Sequence, residues 1–372
     1  MPRPDHRWPD SFVHTFWPGR VVFGAGALER VTDEVAALGV RRVLVIATNS
    51  ARDAADLVEL QLGDRFAGRI DGVAQHVPTE VADDARTKAR DAGADGIVAI
   101  GGGSAVGLAK AVALRFEPAG EQRDLAVVAV PTTYAGSEMT PVWGETAGGS
   151  KTTGVDSRVL PRVVVYDPVL TQHLPVKVTA ASVANAIAHC VEAIWTPKAD
   201  PITETIAVEG LRALSNGLRE VLAAPQDLEA RGKLLYGACL AGSALATAGT
   251  GLHHKLCHLL GGTYGLPHAE THAAVLPQVA RVNAPAVPES AARLAAALAG
   301  SDVAETEDAG LATQLFDLFQ GAGVAVGLRE FGLTEAQVDE AAAGFSVAGN
   351  PVAVGREEVR EILRRALDGV RP

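Results

Sequence analysis

Cysteines, aromatics and long apolar runs are all scarce in this chain of 372 residues, and each scarcity excludes something. Three cysteines are too few for a disulfide framework and suit a reducing compartment. Aromatic residues make up 5% against 48% hydrophobic overall, so the core must come from Ala, Val and Leu, as in a cytosolic α/β or helical protein. No apolar stretch reaches the roughly 18 residues of a membrane span, and the opening MPRPDHRWPDSF has no apolar signal core. Cations are outnumbered 33 to 44, for a net charge of −11. That balance argues against nucleic acid and repels an acidic substrate at long range, so a bound anion would need a local cationic pocket. The expectation is a soluble, cytoplasmic protein, long enough for two domains.

What is present falls into two parts. Up to about residue 168, short β-branched runs alternate with helical stretches. RRVLVIAT (41–48), a weaker run at 68–77, GIVAIGGGS (96–104), LAVVAVP (125–131) and RVVVYDP (162–168) read as strands. Helices are expected over 50–62, 81–93 and 105–116. Such alternation implies a parallel sheet with helices on both faces. Beyond it, strand-like runs vanish and Ala/Leu/Glu-rich helical patterns dominate, from 178–194 through 201–223, 228–248 and 252–260. The expected architecture is an α/β dinucleotide-binding domain over 1–168 and an all-helical domain over 169–372, with no internal repeat.

Gly101, Gly102, Gly103 and Ser104 close one strand and open a helix. Backbone amides and the positive helix end there suit a pyrophosphate, and a Cβ would block its approach. GGGS is not the GxGxxG fingerprint and by itself fits a tight turn equally well. A second polar loop after the neighbouring strand, with Thr132, Thr133, Ser137 and Thr140, tips the reading toward a dinucleotide. The strand ending at Thr48 and Asn49 lacks the acidic residue that grips a ribose 2′-hydroxyl, so weak discrimination between NADH and NADPH is expected.

Five of the ten histidines lie between His253 and His272. His254 and His258 share a helix face at four-residue spacing, as do Asn185 and His189. His268 follows Pro267 at the expected start of another helix. A divalent cation on three imidazoles ordinarily takes a carboxylate as well, yet the corresponding residue is the neutral Asn185. Any one histidine fits a hydrogen-bonded core role, and Cys190 and Cys257 fit packing roles. A zinc site on Cys257 is disfavoured because no second cysteine stands at zinc-finger spacing.

GGGS with Ala109-Lys110, the PTT-AGSE-T loop, Asp167-Pro168, the Asn/His helix and the HxxxH…PH run stand in the order of the iron-containing alcohol dehydrogenase family, which the chain resembles from Phe23 to Asn350-Pro351. That resemblance implies that Asn185, His189, His254 and His268 match the positions of an Asp and three His that hold Fe(II) or Zn(II) in metal-dependent members. His258 matches a further histidine near the nicotinamide. Three departures stand out: Asn185 for Asp, Gly107 where alcohol dehydrogenases carry Asp, and Val183 where Gly is frequent. PTTYAGSEMTPVWGET, GSKTTG, NAIAHCVEA and GLHHKLCHLLGG are similar to one branch, the maleylacetate reductases, which reduce maleylacetate to 3-oxoadipate with NADH or NADPH in bacterial degradation of aromatics.

The resemblance then implies a chemistry that suits the missing charge. Hydride addition beside a conjugated ketone leaves an enolate, which hydrogen-bond donors can stabilise without a metal; no metal is expected. His254 and His258 are expected to serve the enolate oxygen or supply the proton, and His189 and His268 to orient the substrate. Lys255 or His253 would pair with a substrate carboxylate, Tyr134 would line the pocket or pack, and Lys151 would lie by the nicotinamide. A homodimer is expected by analogy. The competing readings are a metal-dependent alcohol dehydrogenase that tolerates Asn185, a lyase of the dehydroquinate-synthase type, and a non-enzymatic nucleotide sensor.

Overall fold

The computed structural model describes residues 11–73, 77–116, 125–147, 150–301 and 310–372. Eight strands are present among them: β1 (Arg20–Phe23), β2 (Val43–Ala47), β3 (Phe66–Ile70), β4 (Gly96–Gly101), β5 (Ala126–Pro131), β6 (Val142–Ala147), β7 (Ser150–Val155) and β8 (Val163–Tyr166). Six of them form one sheet in the order β1-β8-β5-β4-β2-β3, parallel throughout. Helices α1 (Val31–Ala37), α2 (Arg52–Leu62), α3 (Thr79–Asp91) and α4 (Gly103–Leu114) alternate with the early strands.

The strands are near-continuous apolar runs because both faces are covered. Val43, Val45, Val98, Ile100, Val128 and Val130 point to one side, against Val31, Val35, Ala55 and Val58. Leu44, Ile46, Ile97, Ala99 and Val127 point to the other, against Ala82, Ala85, Ala89, Leu108 and Val112. Alternate residues of one strand thus feed two cores.

Strand order sets the ligand crevice. The chain runs from β2 outward to β3, then crosses to β4 on the opposite side of β2. The carboxyl ends of β2 and β4 therefore flank a topological switch point, where open α/β sheets bind ligands. Thr48 and the Gly101–Ser104 loop sit there.

After β8 the described chain is helical: α5 (Val176–Ala193), α6 (Pro201–Ala223), α7 (Leu228–Ala248), α8 (Leu252–Tyr264), α9 (His268–Asn283), α10 (Pro288–Ala299), α11 (Leu311–Gly321), α12 (Glu335–Gly344) and α13 (Arg356–Asp368). Asp200 and Asp227 cap α6 and α7 with side-chain oxygens, which satisfies amide groups that a helix start leaves unpaired. Their core is continuous with the sheet through Val106, Ala129, Val164 and Tyr166. No single helix among the described residues is long and apolar enough to cross a membrane.

Two features depart from the expected pattern. β1 was not anticipated, because it is a four-residue edge strand with only Val22 buried. Nor was the antiparallel β6–β7 hairpin, whose polar sequence has no apolar alternation; Trp143 lies over Gly154, where a Cβ would sit 2.7 Å from the indole. The weak strand expected over 68–77 is β3, ending at Ile70, and 74–76 lie outside the described residues.

Tyr134 is fully buried in the helical core. Its hydroxyl accepts from Arg231 Nη1 at 3.1 Å. Arg231, itself 1% exposed, also reaches Thr179 Oγ1 at 2.7 Å and the carbonyls of Leu174 and Pro225. Tyr134 is therefore a packing residue and does not line a pocket.

The loop after β5 meets α7 backbone to backbone. A Cβ at Gly242 would fall 2.1 Å from the Gly136 carbonyl oxygen. Overpacking of this kind costs about 1–3 kcal/mol. Gly242→Ala is expected to lower the unfolding free energy by that amount, seen as a lower urea midpoint at an unchanged denaturant slope; an unchanged midpoint would show that the loop and α7 can separate freely.

Candidate active site

Three strand ends meet at the crevice. Thr48 N–H donates to Ile100 O at 3.2 Å and Thr132 N–H to Gly101 O at 3.0 Å. Gly101 has φ +150°, and a Cβ there would meet Thr48 Cγ2 at 2.7 Å; at Gly102 it would meet Thr133 Cγ2 at 3.0 Å. Only glycine fits this junction. It leaves the α4 N-terminus open, with Gly103 exposed and Ser104 half-buried. The junction thus fits a dinucleotide's phosphates, with Thr48, Thr133 and Ser104 around them.

The second loop is held from beneath by Lys110 on α4, 1% exposed. Its ammonium is shared among Ser137 O at 2.6 Å, Thr140 O at 2.7 Å, Thr140 Oγ1 at 3.1 Å and Val142 O at 3.0 Å. Burial pulls Lys110 down to about 7, against the opposing charge of buried Glu138. The Thr140 hydroxyl also donates to Ser137 O at 3.0 Å, and Thr140 is buried. Thr140 therefore belongs to the frame of the loop.

The helical side of the site is built on α5, α8 and α9. Residues 185, 189 and 192 follow one face of α5 at spacings of four and three. The chain bends by 101° between α7 and α8, where Gly249 has φ +73°, and this turns the start of α8 toward α5. Glu192, 0% exposed, meets it: Oε1 accepts from His253 N–H at 2.6 Å, and Oε2 accepts from His254 Nδ1 and, at 3.4 Å, from His254 N–H. A Cβ at Gly251 would lie 3.1 Å from Glu192 Oε1. The carboxylate thus caps α8 and fixes the His254 ring at once.

Around that anchor the imidazoles gather. His189 stacks on His254 with ring centroids 5.1 Å apart, and His258 stacks on His268 at 6.1 Å. His272, unforeseen from sequence although four residues past His268, lies 4.5 Å from His268 and 4.9 Å from His254, centroid to centroid. His253 Nε2 is 2.7 Å from His272 Nδ1. Burial, then the neighbouring imidazoles, push His189, His253 and His272 well below the ordinary histidine range, so all three are neutral at pH 7. Among the described residues, four buried atoms here have no hydrogen-bond partner: Asn185 Oδ1, His189 Nδ1, His254 Nε2 and His272 Nε2.

The structure thus brings together Asn185, His189, His254, His258 and His268. His253 is fully buried against His272 and is not free to pair with a substrate carboxylate. Lys255 is exposed on α8, a solvated position. Asn49 is exposed beside half-buried Thr48. Lys151 lies on β7 opposite Thr146, and its side chain is outside the described residues.

Asn185, His189, His254 and His268 offer a divalent cation four neutral donors. The carboxylate nearest them, Glu192, is turned to the far side of His254 and to the α8 amides. The donor set lacks the anion that such a cation ordinarily requires and fits a metal poorly.

Burial alone would raise the Glu192 carboxyl, but His254 and the amides of Gly251 and His253 hold it below its ordinary 4.5. Its stabilisation is therefore complete above about pH 4.5 and is lost as pH falls through the lower folded value. Glu192→Gln removes a buried carboxylate that accepts from His254 and two α8 amides, and is expected to cost about 1.5–3 kcal/mol at neutral pH, the range for hydrogen bonds to a charged group. It should also flatten the acid limb of the stability profile. Equal unfolding free energies from pH 7 to pH 3 in both proteins would refute this.

Residues 18–168 match the sequence profile of iron-containing alcohol dehydrogenase, and residues 179–367 that of the C-terminal part of the Fe-containing alcohol dehydrogenase family. The chain is 45% identical over 365 residues to maleylacetate reductase of Sphingobium indicum, covering 97% of this chain and 99% of the relative. It is 46% identical over 363 residues to maleylacetate reductase 2 of Cupriavidus pinatubonensis, covering 98% of each. The crystal structure of maleylacetate reductase from Agrobacterium tumefaciens superposes with a TM-score of 0.89 at 40% identity, covering 98% of this chain and 100% of that one. Matched in both halves and along nearly its whole length, this chain belongs to the iron-containing alcohol dehydrogenase family.

Proposed function

We propose that this protein is an NAD(P)H-dependent oxidoreductase that reduces the carbon–carbon double bond of maleylacetate to give 3-oxoadipate. The observation that carries the reading is the neutral donor set around Asn185, joined to relatives named maleylacetate reductase at 45% and 46% identity. The reduced nicotinamide, when bound, supplies hydride. The glycine junction holds its phosphates, and the loop framed by Lys110 faces the remainder. Negative charge that develops on the ketone oxygen is met by histidine N–H groups in a dry pocket, where hydrogen bonds act strongly. His254 or His258 delivers the proton that completes the reduction. Residues 1–168 are proposed to serve the cofactor and 169–372 the substrate, in a cytoplasmic homodimer.

The same reading needs no metal, because an enolate is far less basic than the alkoxide that a Lewis acid would stabilise. A metal-dependent alcohol dehydrogenase is the second reading, favoured by the unpartnered Asn185 Oδ1 and His254 Nε2 at family ligand positions. NADH oxidation with maleylacetate in a strong chelator separates them. Full activity is expected; loss that returns with Fe(II) or Zn(II) would overturn the metal-free reading. Asn185→Asp restores the missing charge and is expected to raise Zn(II) affinity by at least about 10-fold while lowering reductase activity. Calorimetric titration that finds negligible affinity in both proteins would mean that these side chains do not converge on a cation.

A further inference from the structure

We propose that Lys110 is a positioning residue for the cofactor: it locks the loop after β5 to α4, so that the helix whose open amino end takes the phosphates also sets the opposite wall of their seat. The assignment rests on the dinucleotide part of the reading above and is independent of the substrate.

α4 and the loop run side by side. At the near end Thr132 N–H donates to Gly101 O at 3.0 Å. The Cβ that Gly102 lacks would stand 3.0 Å from Thr133 Cγ2, and that of Gly103 3.6 Å from Ala135 Cβ. About two turns along the helix, Lys110 reaches the far end. Its ammonium meets the carbonyl oxygens of Ser137, Thr140 and Val142 and the hydroxyl of Thr140. That hydroxyl gives its own proton to Ser137 O, so toward Lys110 it too is an acceptor.

The loop has other ties, and they lead elsewhere. Tyr134 N–H donates to Ser182 Oγ on α5 at 3.0 Å. The Tyr134 hydroxyl is held by Arg231 on α7, and Gly136 abuts Gly242 on the same helix. Glu138 accepts from the Tyr166 hydroxyl of β8 at 2.8 Å. The first three lead into the helical half. A loop without Lys110 therefore keeps its attachment to α5 and α7, while its far end comes loose from α4. The chain stays folded, and the wall is free to follow the helical half away from the phosphate seat.

A buried ammonium is costly, and an apolar side chain would fill the same place in this otherwise apolar helix. What it could not do is gather three carbonyls at once. Charge-assisted hydrogen bonds are shorter and stronger than neutral ones, so the hold of α4 on the far end of the loop is concentrated in one residue.

Lys110→Met keeps the length of the side chain and removes every donor. Its dissociation constant for NADH, read from nicotinamide fluorescence, is expected to rise about 10-fold, the lower end for hydrogen bonds to a charged group. KM for NADH should rise with it, while kcat at saturating NADH and KM for maleylacetate stay near their wild-type values. Thr140 gives a second test that leaves the buried charge in place. Thr140→Val should raise the NADH dissociation constant about 3-fold, within the range for a neutral hydrogen bond, and Thr140→Ser, which keeps the hydroxyl, should restore it. Wild-type NADH affinity in folded Lys110→Met, or a fall in kcat at unchanged NADH affinity, would overturn the assignment. Equal dissociation constants in Thr140→Val and Thr140→Ser would do the same, and they decide the matter if Lys110→Met does not fold. Wild-type protein that binds no NADH would overturn the cofactor reading and this assignment with it. Protein that shows these NADH dependences yet does not reduce maleylacetate would overturn the substrate reading only, with the role of Lys110 still supported.

Discussion

The buried carboxylate of Glu192 is the interaction from which the helical half of the site hangs. It receives two backbone amides from the first turn of α8 and one ring nitrogen of His254. Those contacts fix where α8 starts, how it is rotated and which nitrogen of His254 is left without a partner. His189 lies one helical turn before Glu192 on α5 and stacks on the ring that Glu192 holds. His258 continues the same face of α8 toward His268. An anion in an apolar interior is tolerable only with such partners, so the charge that secures the fold also orders the imidazoles.

Parts of this were legible in the sequence because they obey short-range rules. β-branched runs ending in glycine mark parallel strands that deliver a phosphate loop, and the four-residue spacing of Asn185/His189 and His254/His258 marks helix faces. Pro267 marks the start of α9 at His268. What stayed hidden depends on partners distant in sequence. Glu192 continues the face of Asn185 and His189, but a glutamate near a helix end reads as solvated until the 101° bend brings α8 onto it. His272 continues from His268 at helical spacing, and that spacing was the available signal. Lys110 stood as a lone cation in the apolar AVGLAKAVAL (105–114), and Arg231 as a cation between leucine-rich turns; each becomes intelligible only with the carbonyls it gathers. Tyr134 and Thr140 belonged to a promising loop, yet membership of a loop does not say which side chains face outward.

Electrostatic economy separates the two ends of the molecule. The chain carries a net charge of −11, yet the cluster on α5, α8 and α9 is built from imidazoles and an amide, with His189, His253 and His272 held neutral by burial. The buried carboxylate of Glu192 meets the Nδ1 side of His254, opposite Nε2. Among the described residues, Asn185 Oδ1, His189 Nδ1, His254 Nε2 and His272 Nε2 are the buried polar atoms of this cluster without a partner.

The loop after β5 illustrates a different economy. One ammonium group gathers the carbonyls of Ser137, Thr140 and Val142 from below, and α7 abuts Gly136 from the side. The segment is therefore held in one shape by the fold itself. Conformational entropy that a flexible loop would surrender on meeting a ligand has already been lost in folding. A ligand that met this loop would not have to order it, so that part of the usual entropic cost of binding would be absent.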